Sequence, residues 1–450
     1  MATSYDYPAF FHPEQSPLWL ASVLAALGRP GPAPDSAICE IGCGQGFGLC
    51  LLAAANPGRQ FIGIDLSGAA IAQARHRARA ADLQNIDFIC ADIRDSAALP
   101  DQDFGIILNH GMLSWVEPPA REALFAFIGT HLAAGGVAQT QYMSAPGGEA
   151  FRPFRQLFQT LAGRADPVAD GLALLRQLRD GGAGFFQLHP HASQTLDNLL
   201  REPAGYVAQE YLSPAFDPLP FASLADYATR HGLEFVGSAT PMENIDAISL
   251  PEGLKSAIAA SADDLILTET LKDLVRNQAA RYDLWQRPAA ALAPQDHMRA
   301  LADMWWGLLP AAPKLDAASK ALAFPTRIGT IEGDPAIFRP LLDRLGEGPA
   351  RFDQLMELAV FDKRPGLLNQ VLQMGLHARI LHPVQGFDTP EAAARLNRHL
   401  LAEAKAGLEI PALAAPPLGS GLVVAGGDLQ TLAAGTAPAW LRGLFALGST

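Results

Sequence analysis

Residues 38–48 read ICEIGCGQGFG, with glycine at positions 42, 44, 46 and 48. An apolar run carrying one acid, Glu40, leads into them. Backbone that lacks Cβ atoms at alternate positions tolerates conformations other residues avoid, and another group can lie directly against it. Between a strand and a helix, such a loop also presents the free helix amides to that group. The flanking residues fit this placement. "AICEIG" has the length and apolarity of a short buried strand, and "QGFGLCLLAAAN" reads as a helix that opens on the glycines and closes before Pro57.

The first 145 residues continue as alternating elements. "QFIGID" is a second strand ending at Asp65, and Ser67 is placed to cap the helix through "AAIAQARHRARAADL". "IDFICAD" and "DFGIILNH" supply a third and a fourth strand. "PPAREALFAFIGTHLAAGG" reads as a helix with proline at its start and glycine at its end, and "GVAQTQYMS" as a fifth strand. Alternation of this kind predicts a parallel sheet with helices on both faces. A ligand then lies beyond the carboxyl ends of the strands, where the strand order reverses.

Two ligand types rest on such a loop, dinucleotides and S-adenosylmethionine. The dinucleotide fingerprint G-x-G-x-x-G fails in both registers, because its third glycine falls on Phe47 or on Leu49. The chain instead has E-x-G-x-G-x-G. Glu40 can attract the ammonium of an amino-acid moiety and is badly placed for a pyrophosphate. Asp65, followed by Leu66, can take the two hydroxyls of a ribose. Asp92, followed by Ile93, can accept from the adenine amino group while Ile93 packs on the ring.

With these residues in view, "EIGCGQG", "GIDLS" and "CADI" resemble the successive cofactor motifs of class I S-adenosylmethionine-dependent methyltransferases, over roughly residues 36–145. The resemblance implies a Rossmann-like, doubly wound α/β core. Glu40, Gly42, Gly44, Gly46, Asp65, Leu66, Asp92, Ile93 and Asn109 are its candidate cofactor residues. A second resemblance reaches further. "NHGMLSWVEPP", the strand carrying Tyr142 and the later "QEYLSPAFDPLPFASLADYATRHGLEFVGSA" resemble bacterial methyltransferases with a methyltransferase regulatory domain, among them lysine methyltransferases of outer-membrane proteins. That family implies a lysine nucleophile and a homodimer. His110 and Tyr142 are the candidate catalytic residues at the transfer site. Met143, Ala145 and Gly148 depart from the family pattern where an acceptor would enter. A small-molecule acceptor and a non-catalytic cofactor-binding scaffold are the alternative readings.

Composition sets the exclusions. A net charge of −13 over 450 residues argues against a general nucleic-acid binder. The N-terminus has no signal-peptide pattern and no run approaches the length of a membrane span, so a cytoplasmic protein without membrane association is expected. The four cysteines fit no metal spacing, and His189 and His191 lack a third ligand, so no metal is expected. The first lysine is Lys255; coding bias in an Ala/Arg-rich chain accounts for that. Segment boundaries are expected at 1–150 for the cofactor core, 151–205 for a helical insertion, 206–242 for the last strands of the core, 243–325 for a helical middle region and 326–450 for a small C-terminal winged-helix-like domain. "MWWGLLPAAP" reads as a turn before that domain, with Trp305 and Trp306 as packing anchors.

Overall fold

The computed structural model describes residues 8–313, 322–386 and 390–447. Its centre is a seven-stranded sheet in the order β3-β2-β1-β4-β5-β7-β6. The strands are β1 (Ile38–Ile41), β2 (Phe61–Asp65), β3 (Ile86–Cys90), β4 (Phe104–Asn109), β5 (Leu132–Met143), β6 (Glu234–Ser238) and β7 (Ala280–Gln286). Strands β1 to β5 pair in parallel, while β7 runs antiparallel to both β5 and β6. Chain order reverses on either side of β1, which puts the switch point above the glycine loop.

Helices α1 (Pro17–Ala26), α2 (Phe47–Ala55), α3 (Gly68–Ala80) and α4 (Pro118–His131) cover this half. The Ser67 hydroxyl caps α3 by accepting from the Ala70 amide at 3.2 Å, as its position predicts. α4 stops at His131, and "LAAGG" belongs to β5.

Strand β7, "ARYDLWQ", lies inside the stretch expected to be helical. Its inward-facing residues include Arg281 and Asp283, so hydropathy does not mark it as core. The Arg281 guanidinium is held by Glu269 at 2.9 Å, Asp273 at 2.7 Å and Asp283 at 2.9 Å. Three carboxylates around one buried guanidinium satisfy a charge that would otherwise be costly in the core.

Residues 152–212 form five helices around a core of their own, centred on Phe154, Phe158, Leu196 and Tyr211. The insertion thus extends past 205 to include Ala204–Leu212. The C-terminal half does not begin at a linker near 326. "WWGL", residues 305–308, is the middle strand of a three-stranded antiparallel sheet with Ala350–Arg351 and Leu381–Val384. Trp306 is buried there, whereas Trp305 is 42% exposed. The helices Pro335–Gly346, Phe352–Leu355 and Pro365–His377 precede the last of these strands, in the expected order.

This half shares a continuous core with one face of the central sheet, from Phe11 through Leu51 to Leu413 and Phe445. The contact has a cause in the sequence of α2. "FGLCLLAAA" is apolar on every side, and such a helix must be covered all round. The sheet covers one side. Helix Glu391–Lys405 and the hairpin of Ala412–Ala415 with Ser420–Val423 cover the other. No helix among the described residues is long and apolar enough to cross a membrane.

Candidate active site

The loop after β1 is held by its glycines. Gly42, Gly44 and Gly46 have φ of +79°, +54° and +63°, all left-handed. Space separates their roles. A Cβ on Gly46 would lie 2.6 Å from the Phe88 ring and 2.8 Å from the Ala74 methyl, so this glycine lets α2 seat on α3 and β3. A Cβ on Gly44 would meet nothing within 4 Å. Gly44 therefore marks the open side of the loop, where a ligand can lie against the main chain.

The loop is anchored to the acid that ends β2. Asp65 accepts from the Gly44 amide at 2.8 Å on one oxygen and from the Ser67 amide at 2.8 Å on the other. Each carboxylate oxygen keeps further acceptor capacity. Asp65 and the solvent-facing Leu66 line a cavity of about 310 Å³ with Ile41, Gly42, Asp92, Ile93 and Met112. It has the acids for a ribose and an adenine and the apolar residues to cover them.

Within it Asp92 is already engaged. The Arg94 guanidinium donates to its two oxygens at 2.9 and 2.5 Å, and that pairing holds the carboxyl down at about 2. Sequence reasoning did not single out Arg94. Its spacing of two from Asp92 was the available signal.

A second cavity shares Gly42 and runs from Glu40 and Gly44 past His12 and His110 to Trp115, Gln209 and Glu210. Glu40 is buried and accepts a 3.4 Å hydrogen bond from the Gln15 side-chain amide. Burial, with a smaller contribution from Asp65, pushes its carboxyl up to about 7. A carboxyl in that state takes up a nearby ammonium readily, because the pairing supplies the charge that burial withholds.

The switch-point strands are fixed from behind. Asn109 is fully buried; its side-chain amide donates to the Ile41 carbonyl at 2.8 Å and lines neither cavity. It sets the spacing of β1 and β4 beneath the loop rather than facing the ligand. Gln141 of β5 accepts from the Gly111 amide at 2.8 Å and so orients the turn that carries His110.

His110 lines the second cavity. Its ring stacks on His12 with centroids 3.5 Å apart and planes 21° from parallel, and its Nδ1 is buried without a hydrogen-bond partner. Burial, and then proximity to His12, holds His110 well below the usual histidine value. Burial lowers His12 to about 4. His12 belongs to residues 8–15, which run across the cleft and contribute Pro8, Phe10 and Gln15 to its wall. The proline-flanked aromatics of "YPAFFHPEQ" were the only hint of that role.

Tyr142 does not stand at the transfer site. Its side chain is fully buried on the far side of β5, and its hydroxyl donates to Asp283 at 2.7 Å. Strand alternation explains the difference: Gln141 and Tyr142 point to opposite faces, and it is Gln141 that faces the loop. No group of three or more His, Cys, Asp or Glu residues able to hold a metal occurs among the described residues.

Comparison with known proteins agrees with this geometry. Residues 38–136 match the family described as a methyltransferase domain, and residues 203–287 the family described as a predicted methyltransferase regulatory domain. An uncharacterized protein from Synechocystis is 28% identical over 361 residues, covering 78% of this chain and 70% of that protein. A trans-aconitate 2-methyltransferase from Paracidovorax citrulli is 28% identical over 215 residues, 46% of this chain and 79% of that enzyme. In fold, the chain is similar to PKMT2 from Rickettsia typhi in complex with AdoHcy, at TM-score 0.71 and 19% identity, over 95% of this chain and 88% of that one.

Proposed function

This chain is an S-adenosylmethionine-dependent methyltransferase, and from that premise we infer that its acceptor is an amine borne on a protein, with a lysine side chain as the nucleophile. One observation carries the reading. The cavity that begins at the glycine loop continues outward to a wall built by the regulatory segment, where Gln209 and Glu210 of helix Ala204–Leu212 face Trp115 across the opening. The trans-aconitate enzyme matches only 46% of this chain, whereas the likeness to PKMT2 runs through the insertion and the C-terminal half.

When bound, the cofactor supplies an electrophilic methyl on a sulfonium. The chain's residues orient and exclude. Glu40 takes the ammonium, Asp65 the ribose hydroxyls, and Asp92 with Ile93 the adenine. The left-handed glycine loop lets the ligand lie against the backbone. In-line displacement asks mostly for alignment and exclusion of water. An amine attacking that methyl would have to lose a proton to solvent beforehand. A lysine, with an ordinary pKa of about 10.4, must arrive neutral. The uncharged stacked imidazoles of His12 and His110 line a buried approach that disfavours its charged form.

Calorimetric titration with S-adenosylhomocysteine checks the cofactor half: Asp65→Ala is expected to weaken binding at least tenfold, and equal affinity would remove the ribose assignment. Mass spectrometry of a proteome incubated with labelled methyl donor checks the acceptor half. Label found only in the small-molecule fraction would replace the protein reading with the one the trans-aconitate relatives suggest.

A further inference from the structure

Residues 8–15, PAFFHPEQ, lie outside both matched segments, 38–136 and 203–287, yet they wall the cavity beside the glycine loop. His12 precedes a proline, which disfavours helical backbone, and its φ of −115° and ψ of 100° are extended. In extended backbone, neighbouring side chains turn to opposite sides. Phe11 turns away from the cavity and is buried under the C-terminal hairpin, where a Cβ on Gly421 would lie 2.9 Å from its ring. His12 turns in and lines the cavity. Beyond it, the Gln15 side-chain amide donates to Glu40 at 3.4 Å, and the Ser16 hydroxyl caps α1 by accepting from the Trp19 amide at 3.3 Å. His12 is thus held between fixed points on both sides of it in the chain.

What His12 meets is the face of His110. Centroids 3.5 Å apart and planes 21° from parallel put the two rings in full contact. The backbone of the turn carrying His110 is fixed by Gln141, which accepts from the Gly111 amide at 2.8 Å. The imidazole itself rotates about a Cβ–Cγ torsion whose energy wells are broad. Its Nδ1 is buried without a hydrogen-bond partner, so no bond at that nitrogen orients it. The Tyr282 ring stands further off, at 5.7 Å and tilted by 52°. A second ring laid on the face narrows the rotation and keeps water away. Resting on the reading that His110 lines the transfer site, we propose that His12 is a positioning residue: its ring fixes the plane of the His110 imidazole and closes that side of the cleft, so that the segment before α1 completes the active site. Alignment and dryness are what in-line displacement requires. The task needs a flat ring and no proton. The charged groups around the pair are Glu14, whose carboxyl lies 4.0 Å from His12 Nδ1, then Arg379, and Glu40 and Glu210 of the same cavity.

The test uses the full chain. NMR of the protein labelled with carbon-13 histidine reports the His110 ring directly, and poly-L-lysine with labelled methyl donor reports transfer. In His12→Ala the His110 titration midpoint should rise toward the ordinary value of about 6.5 as water reaches its face. Its kcat should fall about tenfold or more, with KM for poly-L-lysine within about twofold of wild type. S-adenosylhomocysteine affinity, measured by calorimetry, should stay unchanged, because Gln15 and Glu40 are untouched. His12→Phe keeps a flat ring without a titratable nitrogen and should restore both the low midpoint and kcat. If His12→Ala does not fold, His12→Leu, which fills the space without a flat face, takes its place. A His110 midpoint unmoved in the variant without a ring would overturn the proposal. A His12→Phe enzyme as slow as His12→Ala would also overturn it, by assigning the role to an imidazole nitrogen. Absence of transfer to poly-L-lysine by the wild type would count against the lysine reading alone, since the NMR comparison decides positioning without an acceptor.

Discussion

With Glu40 taking the cofactor's ammonium, as proposed, one side chain ties protonation to cofactor binding. Burial holds its carboxyl up at about 7, so much of it is uncharged at neutral pH in the empty protein. Ordinary carboxyls titrate near 4.3. The stabilising share of the neutral form is therefore complete below that ordinary value and is lost as pH rises through about 7. Cofactor binding needs the ionised form, so the sign for affinity is the opposite. S-adenosylhomocysteine should bind more weakly as pH falls from 8 to 6, by up to about tenfold per unit below the midpoint, and Glu40→Gln should show a flat, weak profile. Calorimetry across that range decides it; a pH-independent wild type would detach Glu40 from the ammonium. The glycines permit a paired prediction. An alanine in left-handed backbone costs about 1–2 kcal/mol. Gly44→Ala should lose about that much stability, yet weaken S-adenosylhomocysteine binding more than tenfold, because its Cβ projects into open cleft. Gly46→Ala carries the same strain plus a clash with Phe88, so its larger effect should appear in the melting temperature.

At the level of elements, β7 is the instructive case. A strand inserted between β5 and β6 was not legible, because Arg281 and Asp283 break the apolar pattern that marks a core strand. Those charges are tolerated only because Glu269 and Asp273, on the helix Leu265–Arg276 just before the strand, and Tyr142, from the neighbouring β5, meet them. Arg281→Ala leaves buried carboxylates without their cation and should cost about 3–5 kcal/mol, read as a lower midpoint in urea denaturation. Arg281→Met with both Asp273→Asn and Asp283→Asn should recover part of that loss. The loop between β4 and α4 shows the reverse situation. Its histidine lies at a strand end that local spacing marks, but its orientation depends on Gln141, whose role follows from which face of β5 it occupies.

For the molecule as a whole, the covering of α2 is decisive. Asn56 at its end donates to the Gly419 carbonyl at 2.8 Å, Gln385 donates to the Ala55 carbonyl at 3.1 Å, and Arg395 reaches the Ala81 carbonyl at 3.0 Å. A Cβ on Gly421 would lie 2.9 Å from Leu51 and from Phe11, so the hairpin lies directly on the helix. The C-terminal half is part of the support of α2 and the glycine loop that opens it. Ending the chain at residue 302 should therefore expose the back of α2 and yield a protein that aggregates or fails to bind S-adenosylhomocysteine. A soluble fragment with wild-type affinity would show that the two halves are independent.

Local spacing by itself determined where the glycine loop and the three strand-end acids fall. Alternate glycines, Glu40, Asp65 and Asp92 are each fixed by their distance from a strand end, and backbone geometry turns that distance into position. The parallel core followed from the alternation of strand and helix for the same reason. Tertiary structure decided what crosses the cleft and what faces it. His12, Gln15 and Glu210 come from opposite ends of the cleft wall, Tyr142 turns away while its neighbour turns in, and the fully apolar α2 finds its second cover more than three hundred residues along the chain. Such pairings depend on burial shared between segments far apart in sequence, and no local pattern encodes which partner completes them.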